Sequence, residues 1–181
     1  MQVLHLLRLK RDSFLMPKTT SVTAAKQARE ERLGILAERP GFLIRRLHQI
    51  HVALFHDECA VFGLTPVQYS AISALDGFEL DQKQLGQKVG IDRASTTEVL
   101  RRLEKASWID RRKCPEDGRR QLAQLTPRGK ALLAQVTESA LRAHERTLEP
   151  LTKAERKRFI RYMSKIVSTN NDYGRASLKI S

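Results

Sequence analysis

Between Pro40 and Phe62 the apolar residues fall at 43, 47, 50, 54 and 61, with 44, 55 and 62 beside them. Spacings of three and four put them on one wide stripe of a helix, which faces a core or a partner. Pro40 is tolerated in a first turn, and Gly63 ends the run. Thr65-Pro-Val-Gln68 then reads as a capping box that opens a second helix, stopped by Asp76-Gly77. Asp81 with Gln84 repeats the arrangement and opens QKQLGQKV, closed by Gly90. Two residues later Asp92 caps RASTTEVLRRLEKAS. Two helices joined by so short a glycine turn form a helix-turn-helix pattern. Its apolar positions are Leu85, Val89 and Ile91, then Val99, Leu100 and Leu103. They dock the second helix by its middle and leave its first turn exposed.

WIDRRKC and RQLAQLT read as two short strands around the turn Pro115-Glu116-Asp117-Gly118. Thr126-Pro127 caps a long helix, and Thr152 with Glu155 caps a last one, KAERKRFIRYMSKIVS. The expected fold class is mainly α with a small β-hairpin wing (α+β): a winged helix-turn-helix core flanked by N- and C-terminal dimerisation helices. The expected boundaries are a tail over 1–35, partly disordered or helical, and a dimerisation and ligand-cleft helix over 36–63. The DNA-binding domain spans 64–126, with its recognition helix at about 92–107 and its wing at about 109–126. C-terminal dimerisation helices fill 127–170, and 171–181 is a tail. Met16, ahead of PKTT, is an alternative start to Met1.

Charge changes the picture most. The net charge is +13, from 33 Lys+Arg and 20 Asp+Glu. Residues 21–91 are neutral overall, 92–130 carry +5 and 151–181 carry +6. A basic segment laid over the helix-turn-helix and its hairpin points to a polyanion, double-stranded DNA above all. Aromatics make up only 6% of the chain, too few for the stacking platforms of single-strand or RNA binders. There is no G-x-S-x-G, H-E-x-x-H, P-loop or C-x-x-C motif, so no enzyme is expected and no cofactor. The two cysteines, Cys59 and Cys114, fit a reducing cytosol rather than a disulfide framework, and cytoplasmic location is the expectation. No apolar run reaches the roughly 20 residues that span a bilayer, so no membrane partner is expected.

Asp117-x-Arg119, five residues, Leu125-Thr126 and then a helix with Gly129 resemble the wing of the MarR (multiple antibiotic resistance regulator) family. Serine and threonines ahead of LRRLEKASWI resemble that family's recognition helix, and the likeness extends over about 38–170. The resemblance implies a homodimer built from the first and last two helices. It also implies a recognition helix in the major groove, a wing arginine in the minor groove, and release of DNA by a small aromatic or phenolic acid. Two positions depart from the family: Ser107 stands where glycine is common, and Glu98 where many members are basic.

The chemistry of base reading favours short polar side chains and arginine on an exposed helix start. Arg93, Ser95, Thr96 and Thr97 are the expected readers, with Arg101 further along. Arg119 is expected to enter a narrow minor groove, whose negative potential draws in arginine. Asp117 is expected to support the hairpin or that guanidinium, and Arg112 and Arg120 to add phosphate affinity. A second site is expected on the first long helix: Arg45, His48 and His51 with Phe55 and Tyr69 would hold an aromatic carboxylate. The function expected is a repressor on a palindromic operator, released by a hydroxybenzoate- or nicotinate-like acid. Two alternatives stand: a zinc-responsive regulator using His48, His51 and Cys59, with His144, or a non-specific basic DNA-binding protein.

Overall fold

The computed structural model describes residues 20–174, 176 and 178. The expectations for most of the N-terminal tail, the alternative start at Met16 and part of the C-terminal tail lie outside the described residues. The chain divides into two compact units, residues 1–46 and 47–181.

In the first unit, helix α1 spans Thr20–Ala37 and α2 begins at Pro40. Arg39 N donates to the Leu36 carbonyl at 3.2 Å, and Leu43 N to that of Arg39 at 3.1 Å, so a single turn links the two helices. Leu33, Ile35, Leu36, Leu43 and Ile44 are exposed.

The second unit holds the rest of α2, which ends at Cys59 and tightens into a 3-10 turn over Ala60–Phe62 before Gly63 takes the left-handed conformation at φ 64°. Helix α3 (Pro66–Ala74) starts from Thr65, whose hydroxyl accepts from Gln68 N while the Gln68 side chain accepts from Thr65 N. Strand β1 (Leu80–Asp81), α4 (Gln82–Val89), α5 (Arg93–Lys105), β2 (Ile109–Lys113) and β3 (Gln121–Leu125) follow. Then come α6 (Pro127–Thr147) and α7 (Lys153–Thr169).

The sheet is antiparallel in the order β1-β3-β2. The hairpin pairs Ile109 with Leu125 through Lys113 with Gln121, and β1 adds Leu80 to Ala123 and Asp81 to Leu122. That third strand escapes the sequence pattern because two residues are too few for an alternation. With α3 to α6 it closes a core of Phe55, Leu64, Ile72, Leu75, Leu85, Leu103, Ile109 and Val136. Among the described residues no helix is long and apolar enough to cross a membrane.

Two backbone details set the pose of α5. The chain leaves α5 through Ser107 at φ 59°, the one described non-glycine residue with positive φ. Ser107 N bonds to the Glu104 carbonyl at 2.8 Å and Trp108 N to that of Leu103 at 3.0 Å. A side chain in the left-handed region costs about 1 kcal/mol, part of which glycine would return through its freer unfolded state. Ser107→Gly is therefore expected to stabilise the fold by about 0.5 kcal/mol, read as a higher urea midpoint. The second detail is Gly129: a Cβ there would stand 2.0 Å from the Trp108 carbonyl oxygen. That oxygen also accepts from Thr126 N at 3.1 Å, so the start of α6 is seated on the root of the wing.

Candidate nucleic-acid interface

The approach of α5 to α4 depends on small groups. A Cβ on Gly86 would meet Thr96 Oγ1 at 2.8 Å and the Ile91 carbonyl at 3.0 Å. Thr96 is fully buried, and its hydroxyl donates to the Asp92 carbonyl at 2.7 Å. This corrects the expectation that Thr96 reads DNA: it belongs to the inward stripe with Val99, Leu100 and Leu103, where no base edge reaches it. The spacing of three and four residues along that stripe carried the signal.

Arg93, Ser95 and Thr97 are exposed on the first turns of α5. Asp92 caps the helix, its Oδ1 accepting from Ser95 N at 2.8 Å and its Oδ2 from the Ser95 hydroxyl at 3.0 Å. The Thr97 hydroxyl donates to the Arg93 carbonyl at 2.8 Å. Gln82, which no sequence motif singles out, sends its amide nitrogen from α4 to that same carbonyl at 2.9 Å and to Thr97 Oγ1 at 2.6 Å. Further along, Glu98 accepts from Arg101 Nε at 2.8 Å and from Arg102 Nε at 2.6 Å. The Arg101 and Arg102 guanidiniums hold the Glu98 carboxyl down at about 2, so Arg101 carries its charge with a counter-ion attached.

The wing tip differs from its root. Asp117 Oδ1 accepts from Arg119 N at 3.0 Å and the Asp117 carbonyl from Arg120 N at 2.9 Å, so Asp117 supports the turn's backbone rather than a guanidinium. The Arg119 side chain is exposed and makes no hydrogen bond or ion pair among the described residues. Arg120 instead reaches Asp81 Oδ2, with Nε at 2.8 Å. Arg112 binds Glu79, its Nε donating at 3.2 Å. Both arginines expected to meet phosphate are thus engaged at the wing's root by carboxylates 39 and 33 residues away. Arg111 is tied to Glu104 at 3.5 Å and to Gln121. A concave surface runs between α4, α5 and the wing, with Gln82, Arg93, Lys113 and Arg119 on its wall.

Asp81 joins the two parts of this surface. Its Oδ1 accepts from Gln84 N at 2.8 Å as the cap of α4, while Oδ2 holds Arg120. Burial alone would raise the Asp81 carboxyl, but the Gln84 N–H and the Arg120 guanidinium outweigh it and keep it below its ordinary value. A carboxyl depressed in the folded state stabilises above its unfolded pKa of about 4, and that stabilisation is lost as the pH falls through the folded value. Asp81→Asn is expected to melt several degrees below the parent at pH 7, with the gap closing below about pH 4. A gap constant with pH would mean that the charge contributes nothing.

The second expected site lies on α2. Its Arg45, in the first unit, has its guanidinium 5.2 Å from the Phe42 ring centre. In the second unit His48 is exposed and His51 half-buried. The His51 ring stacks on His144 at 5.0 Å and lies 6.4 Å from Phe55. His51 Nδ1 lies 2.9 Å from Thr147 Oγ1, whose proton goes to the Ala143 carbonyl at 2.7 Å. Nδ1 is therefore the protonated nitrogen and Nε2 keeps a lone pair. Burial, then His144 and His48, lower the His51 pKa. Phe55 is 1% exposed and packs 5.8 Å from the half-buried Tyr69, which corrects its expected place on a pocket wall to one in the core. Cys59 and Cys114 are buried and unpaired, and burial pushes the Cys59 thiol up. Among the described residues no three His, Cys, Asp or Glu side chains cluster at metal-holding distance. Below this site Glu58 accepts from Arg142 at 3.0 Å and Arg146 at 2.7 Å, which fastens the end of α2 to α6.

The sequence profile of the MarR family matches residues 62–120. The repressor NicR of Pseudomonas putida is 26% identical over 140 residues, 77% of this chain and 89% of NicR. BpsR of Bordetella bronchiseptica, whose DNA binding is regulated by 6-hydroxynicotinic acid, superposes with a TM-score of 0.69 at 30% identity, over 72% of this chain and 94% of BpsR. PcaV of Streptomyces coelicolor, solved with its natural ligand, gives 0.67 at 32% identity over 74% and 94%.

Proposed function

The chain belongs to the MarR family of transcriptional regulators, and on that premise we propose that it is a dimeric repressor of a palindromic operator, released by a small aromatic acid. The observation that carries the DNA half of this reading is Arg119. It is an exposed guanidinium without a counter-ion among the described residues, at a wing tip whose backbone is set by Asp117. The other arginines of the hairpin, Arg111, Arg112 and Arg120, are matched by Glu104, Glu79 and Asp81, so the arginine without a counter-ion among the described residues of the hairpin is the one at its tip. A hairpin tip of this kind suits a narrow minor groove, while the exposed start of α5 suits the adjacent major groove.

Dimerisation is supported by the apolar residues that the chain leaves in water. Helix α7 buries none of its residues, and Ile160, Met163, Ile166 and Val167 are exposed at helical spacing. Leu33, Leu36, Leu43 and Ile44 of the first unit are exposed as well. Such surfaces mark an interface with a partner. Two recognition helices about 34 Å apart would then read half-sites one DNA turn apart.

For the effector, a half-buried neutral His51 with a free Nε2 lone pair, beside His48 and His144, suits a phenolic or hydroxypyridine O–H. The control of BpsR by 6-hydroxynicotinic acid favours a hydroxynicotinate over a hydroxybenzoate. The test is fluorescence anisotropy on the upstream intergenic duplex and a scrambled one, across salt, with hydroxynicotinates and hydroxybenzoates. Selective binding reversed by one acid is expected. Equal binding to both duplexes would refute the operator, and indifference to every acid would refute the effector class.

A further inference from the structure

Arg93, Ser95 and Thr97 stand exposed together, yet the two hydroxyls are not free to choose their polarity. A hydroxyl has one proton to donate and two lone pairs that accept. The Thr97 proton is committed to the Arg93 carbonyl, an atom that only accepts. The Gln82 amide touches that carbonyl too, so its nitrogen and not its oxygen must face α5. Its second N–H then occupies one lone pair of Thr97. Thr97 is left with one lone pair facing outward and no proton. The Ser95 proton is committed likewise to the Asp92 carboxylate. Arg93 has donors only.

We infer that Gln82 and Asp92 set Thr97 and Ser95 as acceptors only, so that these two residues read the exocyclic amines of adenine or cytosine in the major groove. The inference rests on the reading that α5 enters that groove. In the major groove, adenine N6 and cytosine N4 donate, whereas guanine O6 and N7 and thymine O4 accept. An acceptor-only hydroxyl opposite guanine O6 or thymine O4 brings lone pair against lone pair, which penalises the wrong register. Guanine edges fall to Arg93. Gln82 is then a positioning residue for specificity: it touches no base itself, and it removes the alternative in which Thr97 turns and donates.

The experiment uses the full-length protein and a duplex that it enriches from a pool with a randomised core. In that duplex each adenine in turn is replaced by purine and each cytosine by pyrimidin-2-one, which removes one exocyclic amine at a time. Two replacements per half-site, one opposite Thr97 and one opposite Ser95, are each expected to weaken binding roughly five- to tenfold. Thr97→Val is expected to lose about as much on the intact duplex, and nothing further on the duplex lacking that amine. Ser95→Ala should behave so at a second amine. Gln82→Met, which keeps the volume and frees the hydroxyl, should cut the amine penalty below about threefold. The inference is overturned if Thr97→Val couples to a purine N7, seen with 7-deaza bases, or to no base while the enriched duplex still binds. Failure to enrich any duplex is a different outcome, which sinks the operator reading and the inference with it.

Discussion

Replacing Arg119 with alanine is expected to weaken operator binding at least tenfold, with the dimer and its melting temperature unchanged. The tip is exposed and its backbone is held by Asp117, so losing the side chain removes a DNA contact without loosening the turn. An arginine in a narrow minor groove acts on an enhanced negative potential, and a base-reading arginine is worth about 1–3 kcal/mol. Arg112→Ala is the internal comparison, because its guanidinium already faces Glu79. It is expected to cost less than Arg119→Ala in affinity. Anisotropy titrations of both variants at one salt concentration decide this. Equal losses would mean that the wing contributes diffuse charge, and an unchanged Arg119→Ala would remove the wing from the interface.

Gly129→Ala is expected to be the most damaging glycine-to-alanine change among the described residues. The new Cβ would stand 2.0 Å from the Trp108 carbonyl oxygen and 2.9 Å from its carbon. Both are backbone atoms that no rotamer change can move aside. Overpacking of this kind costs about 3 kcal/mol or more, since α6 must lift from the root of the wing. The loss should be read in urea unfolding, and it should exceed that of Gly118→Ala, where a Cβ meets nothing within 4 Å. Similar midpoints for the two variants would refute the close seating of α6.

Much of the fold was legible because its signals are local. The capping residues Thr65, Asp81, Asp92, Thr126 and Thr152 each bond to a backbone N–H three residues on, so a short window contains the whole interaction. The hairpin is legible for the same reason, its strands being separated by a turn rich in loop formers. The candidate site was legible only as a list of residue types. Arg119 and Arg120 are adjacent and look alike, yet one is exposed without a counter-ion among the described residues while the other is tied to Asp81. What separates them is a contact across 39 residues, which no local pattern encodes. Gln82 escapes the sequence pattern for a similar reason, since its partners Arg93 and Thr97 are 11 and 15 residues away. Thr96 is the opposite case: its burial is written in the helical phase that it shares with Val99, Leu100 and Leu103.

Asp81 gives the wing its thermodynamic character. The last residue of β1 and the cap of α4 are one side chain, and it also grips the root of the hairpin through Arg120. The ordering of the wing's root is therefore completed during folding rather than on contact with DNA. Within the hairpin it is the Arg119 side chain, exposed beyond a turn that Asp117 already fastens, that has freedom to lose, so the entropy cost of association falls at the tip. Cutting the Asp81–Arg120 link would spread that cost over the whole hairpin. Calorimetry would register the change as a less favourable binding entropy, even where every atom that touches the duplex is the same.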